Sequence, residues 1–149
     1  MLWSWGGPIE WRSAKQTTQA LSTTEAEYMA AHELARSVIW ARRLFKELGY
    51  TDLGVFDPTE PPTEEELKGM KPTVIYEDNS GCIAWSKNPV AHHQRKHMDL
   101  KFRWMDAKVK EGDVKLSYCP TAEMVADLLT KYLASPRFIL LRDMMVGRE

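Results

Sequence analysis

The 149-residue chain has little cysteine, no long apolar run and almost no net charge, and each scarcity excludes something. Its two cysteines, Cys82 and Cys119, fit neither a disulfide framework nor a zinc site, so both read as small buried side chains in a reducing compartment. No stretch approaches the roughly eighteen apolar residues a membrane span needs. The opening Met1-Leu2-Trp3-Ser4-Trp5-Gly6 is too short for a signal peptide and lacks a basic front. The expectation is a protein of the cytoplasm or nucleus, away from membranes. Twenty Lys and Arg stand against 21 Asp and Glu, a balance that points to no partner. What is present is an ordinary globular mixture, 44% apolar and 28% charged, which predicts one packed domain over residues 1–149.

Met1 to Trp5 followed by Gly6-Gly7 and the alternating Ile9, Trp11 and Ser13 reads as the end of one strand, a turn and a second strand. Ser22, Thr23 and Thr24 then precede Tyr28, Ala31, Leu34, Ala35, Val38, Ala41, Phe45 and Leu48, spaced by threes and fours. This predicts a helix from about Thr24 to Leu48, with Arg36, Arg42, Arg43 and Lys46 toward water and Gly49 as its stop. Residues 51–71 carry three prolines and six acids against two lysines, a solvated acidic loop. Thr73 to Asp78 has the β-branched and aromatic content of a buried strand, followed by a short helix over about Cys82 to Ser86. A helix from Met98 to Lys110, a strand through Val114, Leu116 and Tyr118, a helical stretch from Met124 to Leu129 and a last helix capped by Ser135 with Pro136 in its first turn complete the order. Strands around a long helix, then strand and helix alternating, predict an α/β fold with a mixed sheet flanked by helices.

Three acids hold positions where α/β proteins often place functional carboxylates: Glu27 in the first turns of the long helix, Asp78 at a strand end, and Asp127 after Pro120. Each also has a structural reading. Glu27 completes a capping box, Thr24-x-x-Glu27, and Asp78 is a competent N-cap. Asp127 could be a surface acid, although Val125, Ala126, Leu128 and Leu129 around it weigh against free exposure. Taken together, carboxylates from separate elements supply the all-oxygen donor set that hard divalent cations require.

Four stretches carry a resemblance: WRSAKQTTQALSTTEAEY at 11–28, IYEDNSGCIAWSKNP at 75–89, KHMD at 96–99 and YCPTAEMVADLLTK at 118–131. In that order they resemble the ribonuclease H domain of copia-type retrotransposon polyproteins. The resemblance covers nearly all of the chain except the acidic loop and the last few residues. It implies a ribonuclease H-like mixed sheet and a metal-dependent endonuclease that hydrolyses the RNA strand of RNA–DNA hybrids with Mg2+, or Mn2+ in its place. By the family's motifs Glu27, Asp78 and Asp127 are catalytic metal ligands. Glu25, pointing to another side of the helix, is the fallback for Glu27. A reverse transcriptase domain of the same polyprotein is the implied partner, and a virus-like particle in the cytoplasm, or the nucleus, the implied location.

One departure matters. The family carries another metal-binding aspartate on a central strand preceding the hairpin, and this chain contains no such strand. Asp52 and Asp57 lie too far downstream to replace it by order. The expectation is a domain lacking its first strand and first ligand, with weak hydrolysis by the 149-residue chain alone. Robust cleavage abolished by Asp78→Asn would overturn it. The alternatives are a non-catalytic nucleic-acid-binding or scaffold relic of the polyprotein, and a helix-rich interaction domain whose acids serve only as caps.

Near-neutrality conceals a separation of charge. Residues 86–115 sum to +4 and residues 51–71 to −4. The basic stretch suits the phosphate contacts that dominate sequence-independent binding, with Asn79, Lys87, Arg95, Lys96, His97 and Lys101 as candidate contacts to a hybrid. Trp85 and Trp104 could join them or belong to the core. His92, His93 and His97 assemble no closed zinc set with other ligands.

Overall fold

The computed structural model describes residues 1–4, 7–16, 19–51, 54–55, 71–87 and 99–146. Arg95, Lys96, His97 and most of the acidic loop therefore lie outside the described residues, as do His92 and His93. The chain begins with an antiparallel hairpin, β1 (Leu2–Ser4) and β2 (Gly7–Glu10), with a bulge between Leu2 and Trp3. Helix α1 (Thr23–Glu47) follows, then a small hairpin of β3 (Tyr50–Thr51) and β4 (Gly54–Val55). Strand β5 (Thr73–Glu77) leads into α2 (Ser80–Lys87). Helix α3 (Asp99–Lys110) returns the chain to β6 (Val114–Tyr118). Two 3-10 turns, Thr121–Glu123 and Val125–Leu129, precede α4 (Ser135–Met145).

Strands β5 and β6 pair in parallel, Thr73 opposite Val114 through Glu77 opposite Tyr118. Parallel strands need a crossover, and α2 and α3 supply it. Helices thus flank a small parallel sheet in an α/β arrangement. The predicted mixed sheet differs in one respect: the described strands form three separate two-stranded sheets, because no described strand joins the first hairpin to β5. The stretch from Met124 to Leu129, predicted as helical, is a tighter 3-10 turn.

The core lies where α1 crosses the parallel pair. Tyr28, Ala31, Ala35 and Val38 of α1 are buried against Ile75, Val114 and Leu116 of the strands, Cys82 and Ile83 of α2, and Phe102 and Met105 of α3. Tyr28 stacks on Phe102 with ring centroids 4.3 Å apart, and Trp85 closes the group at 5.9 and 5.6 Å from the two rings. Trp104 meets His32 edge-on at 5.0 Å. Trp104 within the basic stretch and Trp85 just before it thus both pack on the core. Cys82 is fully buried, whereas Cys119 is only half-buried. Arg42, expected at the wet side, turns inward to donate to the Lys71 carbonyl at 2.8 Å and Thr73 Oγ1 at 3.1 Å, tying α1 to the start of β5. Gly49 ends α1 at φ 79°, where any other side chain would be strained. No helix among the described residues is long and apolar enough to cross a membrane.

Candidate functional site

The first turn of α1 decides which of two glutamates is free. Two capping boxes overlap in Ser22-Thr23-Thr24-Glu25-Ala26-Glu27, and the helix uses the earlier one. Ser22 is the N-cap, its Oγ accepting from the Glu25 N–H at 3.1 Å, while Glu25 Oε2 accepts from the Leu21 N–H at 3.1 Å. Glu25 is 2% exposed and its carboxylate is engaged at the helix start. The box predicted on Thr24 and Glu27 is therefore not the one that forms, and Glu27 is left exposed on the next part of the turn. A similar choice occurs after β5. Asn79, not Asp78, caps α2, with its Oδ1 accepting from the Cys82 N–H at 3.1 Å. That occupies the amide oxygen of a predicted nucleic-acid contact and releases Asp78, which instead accepts from Thr121 Oγ1 at 2.9 Å.

Gly81 lets these two helix starts meet. A Cβ at Gly81 would lie 3.1 Å from both Cγ2 and Oγ1 of Thr24, and 3.1 Å from Asn79 Oδ1. Residues 13–16 strap the third element in place. Ser13 Oγ donates to the Leu129 carbonyl at 2.8 Å and Gln16 Nε2 to the Ala26 carbonyl at 2.8 Å. The strap spans from the first turn of α1 to the 3-10 turn that carries Asp127.

Thr121 links Asp78 to Asp127, its Oγ1 donating to Asp78 and its carbonyl accepting from the Arg137 that also donates to Asp127, and Glu27 lies within reach of both their charges. Glu27 is exposed as a residue, yet loss of water around its carboxyl raises its pKa. The negative charges of Asp78 and Asp127 push it further, against the pull of Lys131. A fourth acid, Glu77, belongs to the same cluster. It is buried at 6% exposure, and its carboxyl is pushed up chiefly by that burial and also by Glu27 and Asp78, although Oε1 accepts from the Asn79 N–H at 3.0 Å. The sequence reading missed Glu77. The signal was the alternation of β5, where inward Ile75 puts Glu77 on the same face two residues on.

Asp127 is buried at 4% and fully engaged: Oδ1 lies 2.8 Å from Lys131 Nζ, and Oδ2 accepts from Arg137 at 2.9 Å. The surface reading of Asp127 fails on this burial. Carboxylate oxygens are the donors a hard divalent cation takes, and a sulfur close by, the Cys82 thiol, is engaged with Glu77. Among the described residues, however, no three acids, histidines or cysteines close on a point where they could hold a metal ion. Lys87 is exposed at the end of α2. Lys101, on α3, is near enough to buried His32 to lower its pKa, behind the larger effect of burial.

Known proteins can now be set beside this geometry. No family model and no solved structure matches the chain. It is 34% identical over 140 residues to the retrovirus-related Pol polyprotein from transposon TNT 1-94 of Nicotiana tabacum, a match covering 94% of this chain and 9% of that protein. Against the retrovirus-related Pol polyproteins from transposons RE1 and RE2 of Arabidopsis thaliana it is 30% and 31% identical over 131 residues, covering 88% of this chain and 8% of each. The chain spans less than a tenth of the length of these curated relatives. Over most of its length, then, the chain is homologous to a segment of copia-type retrotransposon Pol polyproteins.

Proposed function

We propose that the chain is the ribonuclease H-type part of such a polyprotein, with a ribonuclease H-like fold, and that it acts on the RNA strand of RNA–DNA hybrids formed beside a reverse transcriptase domain. One observation carries this reading: Asp78 and Asp127, far apart in sequence, are joined through Thr121 and Arg137, and Glu27, on a third element, feels the charge of both. Helix caps alone would not require that. Ser22 and Asn79 do the capping, leaving Glu27 and Asp78 free of that task.

In this reading Glu27, Asp78 and Asp127 hold Mg2+, with Mn2+ as its substitute. Two such ions, when bound, would activate water and stabilise the leaving oxygen of a phosphodiester. The chain's own residues orient the ligands. Thr121 fixes one oxygen of Asp78, Gly81 sets the separation of the two helix starts, and the strap at Ser13 and Gln16 holds the Asp127 turn against α1. Lys87 and Lys101 on the described surface, with Arg95, Lys96 and His97 outside the described residues, supply the basic ground for the hybrid's phosphates.

Cleavage of a labelled RNA–DNA hybrid with Mg2+ tests the proposal. Cleavage, however weak, that is restricted to the RNA strand and lost in Asp78→Asn is the supporting result. A chain that binds hybrid equally well with and without Asp78 and never cuts it would favour the non-catalytic relic.

A further inference from the structure

The two cations on Asp127 are held very differently. Arg137 is anchored twice, donating to the Thr121 carbonyl at 2.5 Å as well as to Asp127 Oδ2, and it sits on α4, which Leu141 seats in the protein with no exposure. Lys131 makes one side-chain contact, 2.8 Å to Asp127 Oδ1, and its side chain stays 50% exposed on a flexible stem. It follows Asp127 by one turn, closed by the Lys131 N–H to the Asp127 carbonyl at 2.9 Å. Its charge reaches beyond Asp127. Asp127 raises the lysine's pKa first, through their hydrogen bond, and Asp78 and Glu27 add to the shift. Lys131 in turn opposes the upward push on Glu27. Among the described residues, the one carboxylate it touches is that of Asp127.

We propose that Lys131 is the resident counter-ion of Asp127, holding its Oδ1 until a divalent cation displaces it. The inference rests on the metal-site reading above and adds to it a competition for one oxygen. Arg137 remains as the fixed support on Oδ2, while Lys131 is the partner that leaves. Metal affinity is then set by how strongly residue 131 holds the carboxylate, and a neutral residue there raises it.

Calorimetric titration of the full 149-residue chain with MgCl2 and with MnCl2 tests this, comparing the parent with Lys131→Gln and Lys131→Arg. Removing one positive charge from beside the ion is expected to tighten Mg2+ binding by about tenfold in Lys131→Gln. The guanidinium of Lys131→Arg, a stronger carboxylate partner, is expected to weaken it by about twofold or more. The metal-free Tm of Lys131→Gln should fall slightly, and its rise on adding Mg2+ should exceed the parent's. Equal or weaker Mg2+ binding by Lys131→Gln overturns the competition, as does tighter binding by Lys131→Arg. Asp78→Asn and Asp127→Asn separate this failure from that of the site itself. If both abolish binding while Lys131→Gln changes nothing, only the counter-ion role is lost. If neither affects binding, the metal site and the counter-ion role fall together.

Discussion

Glu25 and Glu27 stand two residues apart and do opposite things, and substitution separates them. Glu25 accepts the Leu21 N–H from a position only 2% exposed. A hydrogen bond to a charged group contributes about 1.5–3 kcal/mol, and a carboxylate at a helix N-terminus adds about 0.3–1 kcal/mol. Burying the charge offsets part of this, so Glu25→Ala is expected to cost about 2 kcal/mol. For a domain of this size that lowers Tm by about 4–8 °C. Ser22→Ala removes the acceptor for the Glu25 N–H and should cost about 1 kcal/mol. Glu27→Gln removes a charge from beside Asp78 and Asp127 and should leave stability unchanged or raise it by up to about 1 kcal/mol. Urea unfolding followed by circular dichroism reads all three, and Mg2+ calorimetry on the same samples supplies the contrast: Glu25→Ala keeps the parent's affinity and Glu27→Gln loses it. A destabilised Glu27→Gln beside an unaffected Glu25→Ala would refute the capping assignment and return Glu27 to the helix start.

The raised Glu27 carboxyl means the folded chain holds that proton more tightly than the unfolded chain. Stability relative to Glu27→Gln should therefore improve as pH falls toward 4.5 and worsen as it rises through the raised value, read from urea midpoints across that range. His32 works in the other direction. Burial lowers its pKa, with Lys101 and Arg36 reinforcing and Glu33 opposing, so its contribution is present above pH 6.5 and lost as pH falls below it. His32→Gln should flatten the acid limb of a Tm–pH profile. Gly81→Ala places a methyl 3.1 Å from Thr24 and should cost about 1 kcal/mol in chemical denaturation despite alanine's better helix propensity. Adding Thr24→Ala should recover most of that loss. Phe102→Ala empties the slot between Tyr28 and Trp85 and should cost about 3–5 kcal/mol, with loss of near-ultraviolet circular dichroism.

Much of this was legible in the residues. The three-and-four spacing from Tyr28 to Ala41 located α1, and the alternation at Val114, Leu116 and Tyr118 located β6, because one-sided burial imposes those periods. The frame of the first cap was not legible. Ser22 and Thr24 are both competent N-caps with a glutamate three residues on, and only the burial of Glu25 against the rest of the fold selects the first. Asp78 and Asn79 posed the same ambiguity, and it is Asn79 whose side chain accepts from the helix start. Of the two cations on Asp127, Lys131 follows it by four residues, a spacing that already suggests contact. Arg137 reaches it from another element, through packing that local sequence does not encode. The mixed sheet was inferred from element order, which does not specify whether a hairpin and a parallel pair actually join.

The strap at Ser13 also has a consequence in time. Its hydroxyl meets Leu129 across 116 residues of sequence, and the parallel pair likewise waits for β6 before β5 has a partner. Local helices form early, whereas such distant closures come late because chain entropy must be lost before the contact rewards it. During synthesis α1 can therefore coil with Glu27 in place long before Asp127 emerges. The grouping of these acids is among the last parts of the chain to mature, so a slowed or interrupted nascent chain would carry a formed helix and an unassembled site.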